Sequence, residues 1–245
     1  MADIEDRVAI VTGASGGIGA AVVRRLTQDG VAVVVHYGGN AERARALADE
    51  VTDAGGRAIV AGADVADEEE MAAVFDAAAH AFGGVDVVVH TAGIMPLSPV
   101  AQTDLETFDR VMHTNVRGTF VTDRLAAQRV RDGGAIINLS TSVTRLQLPG
   151  YGAYAASKGA VEAMTLILAR ELRGRDITVN AIAPGPTATP LFFEGKSPEL
   201  VQQIASGNPM QRLGTPEDIA ETVAFLAGPG RWINGQVLYA NGGAA

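Results

Sequence analysis

The sequence has no cysteine among its 245 residues, which excludes disulfide staples, a thiolate nucleophile and cysteine-ligated zinc. It is also poor in positive charge. Lys and Arg together number 19 against 28 Asp and Glu, and the resulting net charge of -9 repels nucleic acid phosphates and anionic lipid alike. No basic patch offsets this, so neither nucleic acid nor membrane is an expected partner. No apolar run reaches the roughly 18 residues of a membrane helix. The opening Met1-Ala2-Asp3-Ile4-Glu5-Asp6-Arg7 lacks the basic and apolar regions of a secretory signal, and a cytoplasmic location is the expectation. His36, His80, His90 and His113 fall at no metal-ligand spacing, so no metal is expected. Linkers, low-complexity tracts and solenoid-period repeats are absent too. With 47% hydrophobic residues, the chain reads as one domain over 1–245.

What is present is an alternation of strand and helix patterns. The branched apolar run Val8 to Thr12 suits a strand buried on both faces. Gly13-Ala14-Ser15-Gly16-Gly17-Ile18-Gly19 follows and opens a helical pattern carrying Val22, Val23 and Leu26. Glycines allow a tight turn and close backbone approach to a pyrophosphate, and the helix start favours the anion. Gly13, Ser15, Gly17, Ile18 and Gly19 are therefore candidate dinucleotide contacts. The other common phosphate loop, Gly-x-x-x-x-Gly-Lys-Ser/Thr, is tested at Gly195-Lys196-Ser197 and fails, because Pro190 occupies its first glycine.

A second strand over 31–35 ends at His36-Tyr37-Gly38-Gly39-Asn40 without the carboxylate that would hold the ribose diol of NAD. NADP(H) is accordingly preferred, with NAD(H) possible. Tyr37, Asn40 and Arg43 are available to the extra phosphate, although Arg43 and Arg45 read equally well as a solvated helix face.

Further strands are predicted at 58–61, 85–89, 135–139, 177–182 and 236–240. Helices are predicted at 41–54, 68–82, 105–131, 159–172 and from the Thr215 cap to 227. A lid with Phe192 and Phe193 covers about 187–210 and suits an apolar substrate. This order implies an α/β doubly wound fold of Rossmann type, a mainly parallel seven-stranded sheet with helices on both faces.

One pair carries chemistry. In Tyr154-Ala155-Ala156-Ser157-Lys158, a helix places the phenol and the ammonium on one face. A nearby cation lowers a phenol's pKa from its ordinary value of about 10, and so suits it to proton transfer near neutrality.

Thr12-Gly13-x-x-x-Gly17-x-Gly19, Ala92-Gly93, Asn115-x-x-Gly118 and Tyr154-x-x-x-Lys158 together resemble the short-chain dehydrogenase/reductase family over almost the whole chain. Tyr154 to Pro184 and Arg231 to Gln236 look most like its naphthol reductase and 3-oxoacyl reductase branches. The resemblance implies hydride transfer between a nicotinamide and a ketone or secondary alcohol. Tyr154 would be the proton donor, and Lys158 would hold the nicotinamide ribose and lower the tyrosine pKa. Asn115 would help hold a water near Lys158. One strand-end hydroxyl would orient the substrate oxygen: Thr141 by spacing, Ser142 by local pattern, with Ser140 third.

The same resemblance implies that Asp64 accepts from the adenine amino group beside Val65, with helix capping as the competing role. Ala92 and Gly93 would let the cofactor lie against the backbone. His90-Thr91 replaces the family's usual Asn-Asn. Pro184, Gly185, Thr187 and Thr189 would close over the nicotinamide. Helices 105–131 and 159–172 would pair across a subunit boundary in a homotetramer or dimer. Two other readings remain: a dinucleotide-binding regulatory protein without turnover, and isomerase or dehydratase chemistry on the same scaffold.

Overall fold

A computed structural model describes residues 7–245, so nearly all of the opening stretch read above for a missing secretory signal lies outside the described residues. Seven strands, β1 (Val8–Thr12), β2 (Ala32–Tyr37), β3 (Ala58–Gly62), β4 (Val85–His90), β5 (Val130–Leu139), β6 (Thr178–Pro184) and β7 (Val237–Ala240), form one parallel sheet. Their order is β3-β2-β1-β4-β5-β6-β7. The helices are α1 (Gly17–Gln28), α2 (Ala41–Asp53), α3 (Glu68–Phe82), α4 (Leu105–Val111), α5 (Gly118–Arg129), α6 (Val143–Leu146), α7 (Gly152–Glu171), α8 (Pro190–Phe193), α9 (Pro198–Gly207) and α10 (Pro216–Ala227).

Strand alternation sorts the core into two layers. Ala9 and Val11 of β1 pack with α1, α2 and α10, while Val8 and Ile10 pack with α3, α5 and α7. Covered on both faces, β1 is buried at all five positions. The strand order reverses between β1 and β4. In open α/β sheets the crevice at the carboxyl ends of such strands is where ligands bind. Thr215 caps α10 through a reciprocal pair of hydrogen bonds with Asp218, as its Thr-Pro-Glu-Asp start predicts.

The single helix expected over 105–131 is instead three pieces. A π-helical turn, Met112–Arg117, separates α4 from α5, and the chain already enters β5 at Val130. The Thr119 hydroxyl donates to the Asn115 carbonyl at 2.7 Å, which satisfies a group at the widened turn. Asn115 lies in this turn and is fully buried, not surface-exposed as an asparagine in a regular helix would be. The lid region holds two short helices, α8 and α9, each begun by a hydroxyl cap and a proline.

Candidate active site

The glycine segment turns at the β1 end. Gly13 has φ +63°, and a Cβ there would lie 2.8 Å from Ala92 Cα. A Cβ on Gly19 would lie 2.5 Å from the Gly13 carbonyl oxygen. His36 anchors the loop from the neighbouring strand: Gly13 N–H donates to its Nδ1 at 3.3 Å, and Ala14 N–H to its carbonyl at 2.9 Å. Burial holds the His36 imidazole down at about 4, so it stays neutral and can accept. No side chain caps α1, so the first amides at Gly17, Ile18 and Gly19 lack an intrahelical acceptor. They edge a cavity of about 540 Å³ that Ser15, Asp64, Val65, Ala92 and Gly93 also line. Uncapped amides and the glycines Gly13, Gly16, Gly17 and Gly19 fit a dinucleotide pyrophosphate.

The expected phosphate readers are placed differently. The Asn40 side chain caps α2, accepting from Arg43 N–H at 2.9 Å. The Tyr37 ring folds over β3, where a Cβ on Gly62 would lie 2.8 Å from its hydroxyl. Gly38 and Gly39 form the cavity wall instead. Of the two roles weighed for Asp64, capping belongs to Asp67, which accepts from Glu69 and Glu70 N–H. Asp64 Oδ1 accepts from Ala66 N–H at 2.9 Å, and its Oδ2 lies 3.4 Å from His113 Nε2 at the cavity edge.

A second cavity, of about 190 Å³, abuts the first; Ile18, Thr91, Gly93, Leu139, Thr189 and Leu191 are common to both. Thr141, Ser142, Tyr154 and Lys158 all line it, together with Pro184, Gly185 and Thr187. Thr187 donates to the Gly185 carbonyl at 2.9 Å, and Thr189 caps α8, so both also shape the turn. Lys158, 4% exposed, donates from Nζ to the Leu139 carbonyl at 2.7 Å. Its ammonium sits 5.9 Å from the centre of the Tyr154 ring.

Electrostatics correct one expectation. Tyr154 is pushed up to about 12, not down: burial dominates, a hydrogen bond with Thr141 offsets it in part, and Tyr151 adds to the rise. Burial likewise lowers Lys158 to about 8, which leaves it mostly cationic near neutrality. The lysine lies beside the ring and gives its short hydrogen bond to a carbonyl, so desolvation outweighs its pull on the phenol.

Among the three strand-end hydroxyls, Thr141 is the one that meets Tyr154. Ser142 donates to the Ala183 carbonyl at 3.2 Å, and Ser140 to Glu162 Oε1 at 2.5 Å. The Asn115 side chain is fully engaged. Its Oδ1 accepts from Ile94 N–H and its Nδ2 donates to the Ile94 carbonyl and Ser157 Oγ, at 2.9, 2.9 and 3.0 Å. It clasps the β4 exit to α7, and its Oδ1 and the Lys158 ammonium lie 3.2 and 3.5 Å from one point, the place a Cβ on Gly93 would occupy.

Sequence reasoning passed over Tyr151, which lines the cavity with its ring centre 6.4 Å from that of Tyr154. Its position three residues before Tyr154, at the cap of the same helix, was the available signal. It also passed over Met95 and Leu148, cavity residues from irregular segments that carry no periodicity.

This arrangement defines a dinucleotide-dependent oxidoreductase of α/β type, with a phenol, an ammonium and a hydroxyl gathered where the two cavities meet. A family model described as "Enoyl-(Acyl carrier protein) reductase" matches residues 13–245. A short-chain type dehydrogenase/reductase from Picea abies is 48% identical over 248 residues, covering 97% of this chain and 92% of its own. An NADPH-dependent aldehyde reductase-like protein, chloroplastic, from Arabidopsis thaliana is 46% identical, covering 97% of this chain and 93% of its own. Among solved structures, a blue fluorescent protein from a metagenomic library, in complex with NADPH, superposes with a TM-score of 0.92 at 38% identity, covering 99% of each chain. The chain belongs to the short-chain dehydrogenase/reductase family.

Proposed function

We propose that the protein is an NADPH-dependent reductase of small, uncharged, largely apolar aldehydes or ketones. The observation that carries this reading is the shared wall of the two cavities, with Tyr154, Lys158 and Thr141 beside it. Bound at the glycine cavity, the nicotinamide cofactor supplies the hydride. The chain's own residues handle the oxygen. Thr141 and Tyr154 both donate to the substrate carbonyl oxygen, and the Tyr154 proton passes to it as it becomes a hydroxyl. The Lys158 cation stabilises the charge left on the phenol. Asn115, Ser157 and Ile94 fix α7 against the β4 exit, which holds Tyr154 in reach. The extra phosphate of NADP is assigned to the cavity wall at Gly38 and Gly39.

The substrate class follows from the lining. Met95, Val143, Leu146, Leu148, Phe192 and Ile204 surround the space, and among the described residues Lys158 is the one charged side chain lining it. A carboxylate or phosphate on the substrate would find no further cation. NADPH absorbance should fall with neutral aromatic and aliphatic carbonyl compounds and hold steady with their carboxylated analogues. Thr141→Val should lower kcat by about a hundredfold, while Ser142→Ala should retain most activity. Failure of every carbonyl compound to consume NADPH would remove the reductase reading in favour of a binding protein or an isomerase; the reverse ranking of the two variants would reassign the hydroxyl.

We also propose a homotetramer. Leu105, Phe120 and Ile167 are 78%, 55% and 57% exposed on α4, α5 and α7, which cover one face of the sheet. Phe225 of α10, on the other face, and the 99% exposed Trp232 mark a second apolar surface. Two distinct patches support two self-complementary interfaces, which together build a closed tetramer. Sedimentation velocity should give about four times the 25.3 kDa chain mass, and a monomer would remove the proposal.

A further inference from the structure

Tyr154, Lys158 and Glu162 follow one another along α7 at intervals of four residues, so the carboxylate of Glu162 extends the same helical face beyond the chemistry. Nothing in the hydride and proton transfers calls for it. It is nevertheless engaged: Glu162 Oε1 accepts from Ser140 Oγ at 2.5 Å and from Thr144 Oγ1 at 3.1 Å. Those two hydroxyls bracket Thr141. The Thr144 hydroxyl also lies 2.9 Å from the Thr141 carbonyl and 3.5 Å from the Tyr239 hydroxyl of β7, whose ring carries the Arg145 guanidinium 3.8 Å from its centre.

The turn needs such a tie. β5 ends at Leu139, and beyond it Ser140 and Ser142 are anchored on one side by their amides, which donate to the Ile182 and Pro184 carbonyls at 2.7 and 2.9 Å. On the side facing α7, the turn is held by the Lys158 bond to Leu139, the Thr141 bond to Tyr154 and the two hydroxyl bonds to Glu162. Thr141 and Tyr154 must reach one substrate oxygen from two different elements. Misplacement by about an ångström costs up to a hundredfold in rate.

We propose that Glu162 is a positioning residue for this site, its carboxylate clamping both ends of the Ser140 to Thr144 turn onto α7 so that the Thr141 hydroxyl and the Tyr154 phenol meet the same oxygen. The inference rests on the roles given to Thr141 and Tyr154 above. One side-chain oxygen has lone pairs enough to accept from both hydroxyls, the single Thr144 proton being shared between Glu162 and the Thr141 carbonyl, and a glutamine presents the same oxygen with the same reach.

Three variants test this: Glu162→Ala, Glu162→Gln and the double change Ser140→Ala/Thr144→Val. Each is assayed for kcat, for KM of the carbonyl compound, for NADPH affinity by fluorescence titration and for thermal midpoint. Glu162→Ala and the double variant should lose about tenfold or more in kcat, with NADPH affinity within about twofold of the parent because Glu162 does not line the glycine cavity. Glu162→Gln should recover most of the loss. Unchanged kcat in Glu162→Ala overturns the proposal. So does a loss that Glu162→Gln fails to recover, or one that tracks a weakened NADPH affinity or a fallen midpoint. An inactive Tyr154→Phe beside a fully active Glu162→Ala would retire this inference alone, whereas an active Tyr154→Phe would remove the functional reading beneath it.

Discussion

Tyr154→Phe, a change of one oxygen atom, is expected to lower kcat by about three orders of magnitude while NADPH still binds. The ring would keep its place on α7 beside Tyr151 and Lys158, so the loss isolates the phenolic proton. Burial keeps that proton on, at about 12, which suits a donor and leaves reduction dependent on the neighbouring cation. Lys158 is lowered to about 8, so its charge is present below that pH and disappears above it. The reduction rate of the parent enzyme should therefore be level toward neutrality and decline as pH rises through about 8. Near-parental turnover by Tyr154→Phe would contradict the assignment, and a reduction rate still climbing well above pH 8 would contradict the role of the lysine charge.

Asp123→Asn is expected to stabilise the fold, and more at high pH than at low. Asp123 of α5 is 5% exposed; its Oδ2 accepts from Asn138 Nδ2 at 3.0 Å, and its Oδ1 has no partner. The other unpartnered buried side-chain atoms among the described residues are His90 Nε2, Thr122 Oγ1 and Asn138 Oδ1. His90 pairs with Asn138 across β4 and β5, and Thr122 precedes Asp123, so the deficit is concentrated in one place. Burial raises the Asp123 carboxyl to about 7, partly offset by the Asn138 hydrogen bond.

A carboxyl whose pKa is raised on folding holds a proton that the unfolded chain has already released. Stability therefore falls as pH climbs from about 4 to about 7 and then levels. Three units correspond to about 4 kcal/mol at most, on the order of 10 °C for a domain of this length. Asparagine removes this cost. Thermal midpoints for Asp123→Asn should exceed those of the parent by several degrees near pH 8 and by much less near pH 5. A midpoint at or below the parent's near pH 8 would refute the account.

Much of this molecule was legible in the chain because its strands are simple. Val8 to Thr12 and Val85 to Val89 are branched, doubly covered runs, and the glycines between β1 and α1 are required by close contact, as the 2.8 Å approach to Ala92 shows. Tyr154 and Lys158 were readable because a helix converts a spacing of four into adjacency. Contacts set by tertiary packing were not readable. Whether Thr141 or Ser142 faces the phenol depends on how β5 leaves the sheet, and the displacement of Tyr37 and Asn40 depends on β3 and on the α2 cap. The direction of the Tyr154 shift was misjudged because sequence shows a charge nearby but not how much water has been removed around it.

The π turn at Met112–Arg117 has a consequence for everything after it. In an unbroken α-helix, eight residues overshoot two full revolutions by about 80°, which would send Asn115 and Asp123 toward different neighbours. One surplus residue taken up in the wide turn cancels most of that overshoot. The amide that braces the β4 exit and the acid that reaches Asn138 can then both look inward from a single rod, while Phe120 is left pointing outward.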